Sequence, residues 1–418
     1  MKIRHFNIQY FRNLENIECD VESTLNTFIG NNAQGKTNLL EALYVALRGD
    51  SFRFYSHKKD WASVKNQKIA VKLYFESSIG TSHQLEMTNE SGQLRHNFDG
   101  KKITSTQLRL KHPIVIFSPD DHSLIRGEPE ERRSFAENVL IDVVPGFYEV
   151  LLSYEQALKQ RNSVLKLLRE FHKNEEYIKQ LKHWNILLAE TALKLLELRY
   201  ESWHEFEKTF QRVIHEILNA EFRPVDISWK SFFSAEDFKK LSHSELIEKY
   251  VDNLRINYER DVATGWSHFG PHKDDLEIKI QGISSRSSAS QGQSRILAMA
   301  MRWAHAEWIK ERGYEEPLFF IDDFSSELDR SHRGGLLKRL ITSAEQVFLT
   351  ATDDSFLKGE FLDQNFTKNT LENSTLFEEK KIENHEGNQA QKQVLKGFAN
   401  SSKAYIVNGR ILDRDLIE

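Results

Sequence analysis

Cysteine appears once, at Cys19, which excludes an intramolecular disulfide framework and suits a reducing compartment. Glycine (19 residues) and proline (7) fall below ordinary usage of about 7% and 5%, which argues against a turn-rich all-β fold and for long helices. No run approaches the roughly 18 apolar residues that a membrane helix needs. The opening MKIRHFNIQYFRN alternates basic and apolar residues, with no apolar core long enough for a secretory signal. The expectation is a soluble, cytoplasmic chain with no membrane partner. A net charge of −5 gives no hint of nucleic acid, so any DNA surface has to be local. At 418 residues the chain has room for roughly two to three domains.

Three regions differ in character. Residues 1–125 carry strand signals: KIRHFNI, LNTFIG, IAVKLYF, HQLEM, a hairpin cue at Asp99-Gly100, and PIVIF at Pro113–Phe117. Between Gly146 and Pro224 there is neither glycine nor proline. Leu151, Tyr154, Leu158, Leu165 and Leu168 recur at helical spacing, break at Asn174-Glu175-Glu176, and resume from Leu181 through Trp203, Phe206, Phe210 and Ile217. Two long helices folded back on each other fit this pattern, the second on the order of 60 Å long. A third helix is expected from the capping box at Ser242–Glu245 to about Val262. Strand signals return at LEIKI (Leu276–Ile280) and PLFFIDD (Pro317–Asp323).

What is present in that glycine-poor chain is Gly30-Asn31-Asn32-Ala33-Gln34-Gly35-Lys36-Thr37, set between an apolar run and an apolar-periodic helix. It fits the phosphate-cradling P-loop, which needs strand before and helix after, and both are signalled here. The loop needs an acidic strand end for its metal, and Leu318–Ile321 followed by Asp322-Asp323 is the best candidate. If Asp322 meets Thr37 across Mg²⁺, the nucleotide site is built from both ends of the chain, and the helical region is an insertion. SASQGQSRILAMAMRWA, from Ser288, opens a second helix with a serine and a glycine, an N-terminus suited to an anion. Since the first loop already serves its own nucleotide, this one fits a neighbour's ATP. Ser326-Glu327-Leu328-Asp329 would lie at such a dimer seam. Read without the other motifs, Ser290 and Gly292 are better taken as a simple N-cap and a loop glycine. His268, His272, Asp274 and Asp275 imitate a metal cluster, but Gly270-Pro271 interrupts any helix between the histidines, so i,i+4 ligation is not available. Lys58-Lys59, Lys101-Lys102 and Arg132-Arg133 read as solvated surface.

Phe11-Arg12-Asn13, the P-loop with NLLEALY, RGDSFR at Arg48, GEPEERRSF at Gly127, LKQRN at Leu158, GPHKDDLEI at Gly270, SQGQSR at Ser290 and IDDFSSELD at Ile321 together resemble the RecF family. These bacterial DNA replication and repair proteins are related to the heads of Rad50 and SMC. The resemblance covers about residues 1–355 in order. It implies an α/β fold: an ABC-type P-loop ATPase head from both ends of the chain, with an inserted antiparallel helical arm. The expected division is head residues 1–125 and 265–366, arm 126–264, a polar loop at 367–402, and a terminal strand and tail at 403–418.

The resemblance also implies an ATP-driven homodimer acting on DNA at single-strand gaps, ss/dsDNA junctions or dsDNA, with RecR and RecO as partners and RecA loading as the outcome. Carried over residue by residue, Gly30–Thr37 bind phosphates, Lys36 meets the β/γ oxygens, and Thr37 and Asp322 hold Mg²⁺. Asp323 stands where ABC transporters keep a glutamate that polarises water; its shorter side chain implies a slow, DNA-stimulated ATPase that works as a switch. Ser290, Gln291, Gly292 and Gln293 face the partner's ATP. A switch histidine has no equivalent in VFLTATDD, where Thr350 or Thr352 takes the strand end. An ABC-type head from a defence system controlling a separate effector is the alternative, and a transporter subunit a more distant one.

Overall fold

A computed structural model describes residues 2–21, 24–53, 56–62, 68–77, 79–171, 174–218, 224–324, 344–353, 401–407 and 410–412. The chain divides into two compact units, residues 1–121 with 309–418, and residues 122–308.

The first unit begins with β1 (Lys2–Phe11), β2 (Leu14–Asp20) and β3 (Leu25–Ile29), then α1 (Lys36–Arg48). β4 (Lys68–Glu76), β5 (Ser82–Glu90), β6 (Gln93–Phe98), β7 (Lys101–Ile103), α2 (Ser105–Lys111) and β8 (Ile114–Phe117) follow. An antiparallel sheet runs β2-β1-β4-β5-β6-β7. Its strands alternate, with Ile69, Val71, Leu73 and Phe75 of β4 buried and their neighbours more exposed, as a sheet with one packed face requires. In β1 the register against β4 slips between Ile3 and His5. That bulge lets Ile3 and Phe6, three apart, share the buried face. The hairpin cue at Asp99-Gly100 turns β6 into β7, with both residues at positive φ.

The second unit contains α3 (Ser123–Arg126), α4 (Pro129–Val143), α5 (Phe147–Glu170) and α6 (Glu175–Leu218). Then come β9 (Val225–Lys230), α7 (Ala235–Lys240), α8 (His243–Ile256), α9 (Tyr258–Thr264), β10 (Asp275–Ile280), β11 (Ile283–Ser284), α10 (Ser285–Ser288) and α11 (Gln291–Glu311). α5 and α6 are the two expected long helices. The second has 44 residues, about 66 Å at 1.5 Å per residue. Its stripe is core: Leu188, Leu195, Trp203, Phe206 and Phe210 are buried. The Ser242 capping box forms, the serine hydroxyl accepting from the Glu245 N–H while the glutamate reaches back. The helix expected to reach Val262 is broken once on the way, at Asn257 (φ −88°, ψ 0°), which ends α8 and opens α9 while its Nδ2 donates to the Asn253 carbonyl.

LEIKI departs from expectation. The expected place is the head, but β10 pairs antiparallel with β9 and β11 in a three-stranded sheet of the second unit. The strand alternates buried Leu276 and Ile278 with half-buried Glu277 and Lys279, a one-faced antiparallel strand rather than a buried parallel one. Residues 265–308 accordingly group with the helices.

The first unit resumes with β12 (Leu318–Ile321), β13 (Val347–Ala351), β14 (Ser401–Val407) and β15 (Arg410–Leu412). The second sheet of that unit runs β15-β14-β3-β13-β12-β8, parallel from β14 to β8. β3, β8, β12 and β13 are buried throughout, the continuous apolar runs of a strand covered on both faces. One core cluster joins this sheet, α1 and the antiparallel sheet, including Phe28, Leu43, Phe320, Phe348 and Ile406. The Ser326–Asp329 seam and most of the 367–402 loop lie outside the described residues; positions 401 and 402 begin β14.

Candidate nucleotide site

β3, β13 and β12 are adjacent and parallel, so their carboxyl ends share one edge. Open α/β sheets place ligands at that edge. The Gly30–Gly35 loop leaves β3 there, Thr350 sits near the end of β13, and Asp322-Asp323 follow β12.

The two glycines have separate causes. A Cβ on Gly30 would stand 2.3 Å from the Ile406 carbonyl oxygen of β14. Gly35 has φ 107°, and a Cβ there would press on Asn13 and Leu14 at 3.0 Å. Gly35 is the N-cap of α1 and offers no side chain to cap it. The first-turn N–H groups of a buried helix thus open at the strand edge, an arrangement that suits phosphate. Lys36 is buried and its Nζ donates to the carbonyls of Gly30 (2.6 Å) and Asn31 (2.9 Å), holding the loop to the helix start. Burial lowers its pKa, and the negative charges of Asp323 and Asp322 act against that shift.

Asp322 is buried, and its Oδ1 accepts from the Thr37 hydroxyl at 2.9 Å and from the Thr350 hydroxyl at 2.8 Å. Burial raises its pKa; the two hydroxyls and Arg53 work in the other direction. The same Thr350 oxygen accepts from the Asp323 N–H at 2.8 Å, while Asp323 takes φ 48°. One buried threonine therefore sets both acidic residues, a role visible only once β13 lies between β3 and β12. Thr352 faces Asp353 instead, with hydroxyl to carboxylate at 3.3 Å.

Around the loop, two motifs converge on Glu41 of α1, which is fully buried. Arg12 donates Nε and Nη2 to its carboxylate at 2.6 and 2.8 Å, Ser51 and Ser56 donate hydroxyls at 2.7 and 3.0 Å, and Arg53 stands 3.4 Å away. Arg53 also reaches Asn38, whose amide donates to Asn13. A glutamate in an apolar helix gave no sequence signal for this hub.

The residues expected to face a partner's ATP lie in the second unit. Ser290 caps α11: its hydroxyl accepts from the Gln293 N–H at 3.1 Å, and the Gln293 side chain accepts from the Ser290 N–H at 2.8 Å. This is a capping box, so Ser290 and Gln293 engage each other, leaving Gln291 and Gly292 as the first-turn N–H groups not used by it. Gly292 has no steric reason among the described residues, where a Cβ would meet only the Ser290 hydroxyl at 4.0 Å. Arg126 braces the helix start, donating to the Ala289 carbonyl and to Ser294 Oγ at 3.1 Å.

Other motifs are structural. Fully buried Arg161 of LKQRN binds Asn185, Asp261 and Ser267 at 2.6–2.7 Å. Arg132 of GEPEERRSF forms a bidentate pair with Asp275 at 2.8 and 2.9 Å. His268 faces Asp261, and His272 faces Tyr154. No group of three or more His, Cys, Asp or Glu poised for a metal occurs among the described residues, and none of their helices is long and apolar enough to cross a membrane.

Residues 2–375 match the RecF/RecN/SMC N terminal domain. The DNA replication and repair protein RecF of Protochlamydia amoebophila is 32% identical over 365 residues, 85% of this chain and 96% of that one. Its counterpart in Natranaerobius thermophilus is 30% identical over 369 residues, 86% and 93% of the two chains. The chain belongs to the RecF family. Its fold is that of an ABC-type ATPase head: the solved structure of the recombination mediator protein RecF-ATP in the RecFOR pathway superposes with TM-score 0.77 at 24% identity, covering 98% of this chain and 96% of that one.

Proposed function

We propose that this RecF-family chain is an ATP-dependent DNA-binding protein of replication and recombinational repair. The observation that carries the reading is the Thr37–Asp322 contact at 2.9 Å, a hydroxyl and a carboxylate from opposite ends of the chain at one strand edge. That pair fits magnesium, a hard cation that takes few protein oxygens and completes its shell with phosphate and water. Bound Mg²⁺ would neutralise charge on the β/γ oxygens. Gly30–Thr37 hold the phosphates, with Lys36 exchanging its two carbonyl partners for phosphate oxygens. Asp323, set by Thr350, orients the attacking water. Slow turnover suits a switch, with DNA as its stimulus.

Gln291 and Gly292, at the capped start of α11, are read as the surface that meets a partner's ATP, so that two chains close on two nucleotides. Single-strand gaps or ss/dsDNA junctions are the proposed targets, RecR and RecO the proposed partners, RecA loading the outcome and the cytoplasm the compartment. The RecF names of the relatives support this biology. The test is a gel shift with gapped, single-stranded and duplex DNA, with ATP, with ADP and without nucleotide. ATP-dependent retention of gapped DNA is expected; equal, nucleotide-independent binding would overturn the reading.

A further inference from the structure

GPHKDDLEI has no part in the nucleotide chemistry, yet in the second unit its Gly270, Pro271, Lys273 and Asp274 help to wall a cavity of about 290 Å³. Phe232, from the loop after β9, is 48% exposed at this cavity, and its ring meets Phe269 edge-on, centroids 5.0 Å apart and 79° between planes. Phe233 also meets the ring edge-on and the Lys249 ammonium stands 5.4 Å from its centroid, yet half the side chain stays exposed, which leaves ring surface for a further flat group. Two exposed lysines, Lys230 and Lys273, also line the space, and neither forms an ion pair among the described residues.

The buried lining is polar as well as aromatic. The Tyr250 hydroxyl is sealed from solvent beneath Gly270, beside that of Tyr154, so the ring and not the hydroxyl faces the space. Asp274 is buried and accepts from Arg199 at 2.8 Å. Aromatic faces flanked by cations are how single strands are held, the rings taking bases and the lysines phosphates. The volume sits at the lower bound for small-ligand sites, roughly 300–1,000 Å³, which fits one ring system rather than a row of stacked bases.

We infer that this cavity receives one unpaired base of single-stranded DNA, stacked on Phe232 with its flanking phosphates on Lys230 and Lys273. The inference rests on the DNA-binding reading above and gives the single-stranded side of a gap a place on the chain.

The test uses the full chain with ATP and Mg²⁺, and a fluorescein-labelled single-stranded oligonucleotide beside a duplex of the same sequence, followed by anisotropy. Phe232→Ala is expected to weaken single-strand binding about tenfold, to leave duplex binding unchanged, and to be rescued by Phe232→Tyr. Lys230→Ala with Lys273→Ala should flatten the salt dependence of single-strand affinity. If the parent binds DNA and Phe232→Ala binds the single strand equally well, the cavity assignment is wrong while the DNA reading stands. If the parent binds neither DNA, the DNA reading fails and takes the inference with it. Displacement of the oligonucleotide from this cavity by an acidic, phenylalanine-bearing peptide at lower concentration would assign it to a protein partner and overturn the inference.

Discussion

The Thr37 hydroxyl donates to the Asp322 carboxylate at 2.9 Å across a sequence separation of 285 residues. The contact exists because β13 inserts between β3 and β12, bringing three strand ends to one edge. Asp322→Asn keeps the shape and an acceptor for both threonine hydroxyls but removes the charge a cation needs. We expect Mg²⁺-dependent ATP turnover to fall on the order of a hundredfold or more, since metal stabilisation is worth several kcal/mol. The thermal midpoint should hold or rise, because the buried charge is gone. Turnover within twofold of the parent would remove Asp322 from the mechanism.

Lys36→Arg keeps the charge but replaces a compact ammonium with a planar fork. The parent Nζ fits between two carbonyls at 2.6 and 2.9 Å, a spacing the fork cannot reproduce within the loop. ATP hydrolysis should be impaired more than ATP binding, measured by steady-state turnover beside equilibrium binding of a fluorescent analogue. Parent-like turnover would detach the loop from the chemistry.

Gly30 and the Ile406 carbonyl test the sheet itself. Gly30→Ala forces a methyl to 2.3 Å from that oxygen, so β14 must give way. A loss of about 1–3 kcal/mol is expected in urea unfolding, as for other overpacked sites. A midpoint equal to the parent's would mean that β14 does not need glycine beside it.

Acid sensitivity follows from two histidines of the first unit. Burial lowers the pKa of His112, stacked on Phe75 at 4.7 Å, to about 3, and that of His96 to about 4. Both stay neutral in the folded chain while the unfolded chain takes up protons below about 6.5, so stability is lost as pH falls from 6.5 toward those values. Each histidine costs about 1.4 kcal/mol per pH unit in that window. His112→Phe retains a ring against Phe75 and removes the proton site. Its urea midpoint should fall less steeply than the parent's between pH 6.5 and 5, and parallel curves would refute the assignment.

How much of this was legible depended on whether a signal is local. The P-loop, the buried strand before Asp322 and the α5–α6 stripe are read from neighbours along the chain, and they are found where the spacing puts them. Pairing is not local. β10 carries a clear alternation, but only its partner β9, fifty residues upstream, decides which sheet it joins. Glu41 carries no local signal, and its full burial is possible because Arg12, Arg53 and two serines reach it through the fold. The start of α11 carries two local signals at once: SQGQ spells a capping box, which forms, and the same helix N-terminus suits an anion.

That box sharpens the last prediction, that ATP brings two chains together. Because Ser290 and Gln293 satisfy each other, the proposed contact surface contracts to Gln291 and Gly292. Among the described residues Gly292 has open space around it, so glycine there costs helix stability without a local return. Gly292→Ala should therefore raise the stability of the single chain by a few tenths to about 1 kcal/mol. It should also weaken the ATP-dependent dimer, because the new methyl stands where a neighbour's phosphate would approach. Ser290→Arg loses the cap, at about 1 kcal/mol, and adds a bulky cation; it should bind ATP as a monomer and form no dimer. Sedimentation at micromolar protein, with ATP, with ADP and with each variant, separates the cases. Opposite signs for stability and association in Gly292→Ala are the expected result. A dimer of equal strength with ADP, or one unaffected by both substitutions, would sink the composite site.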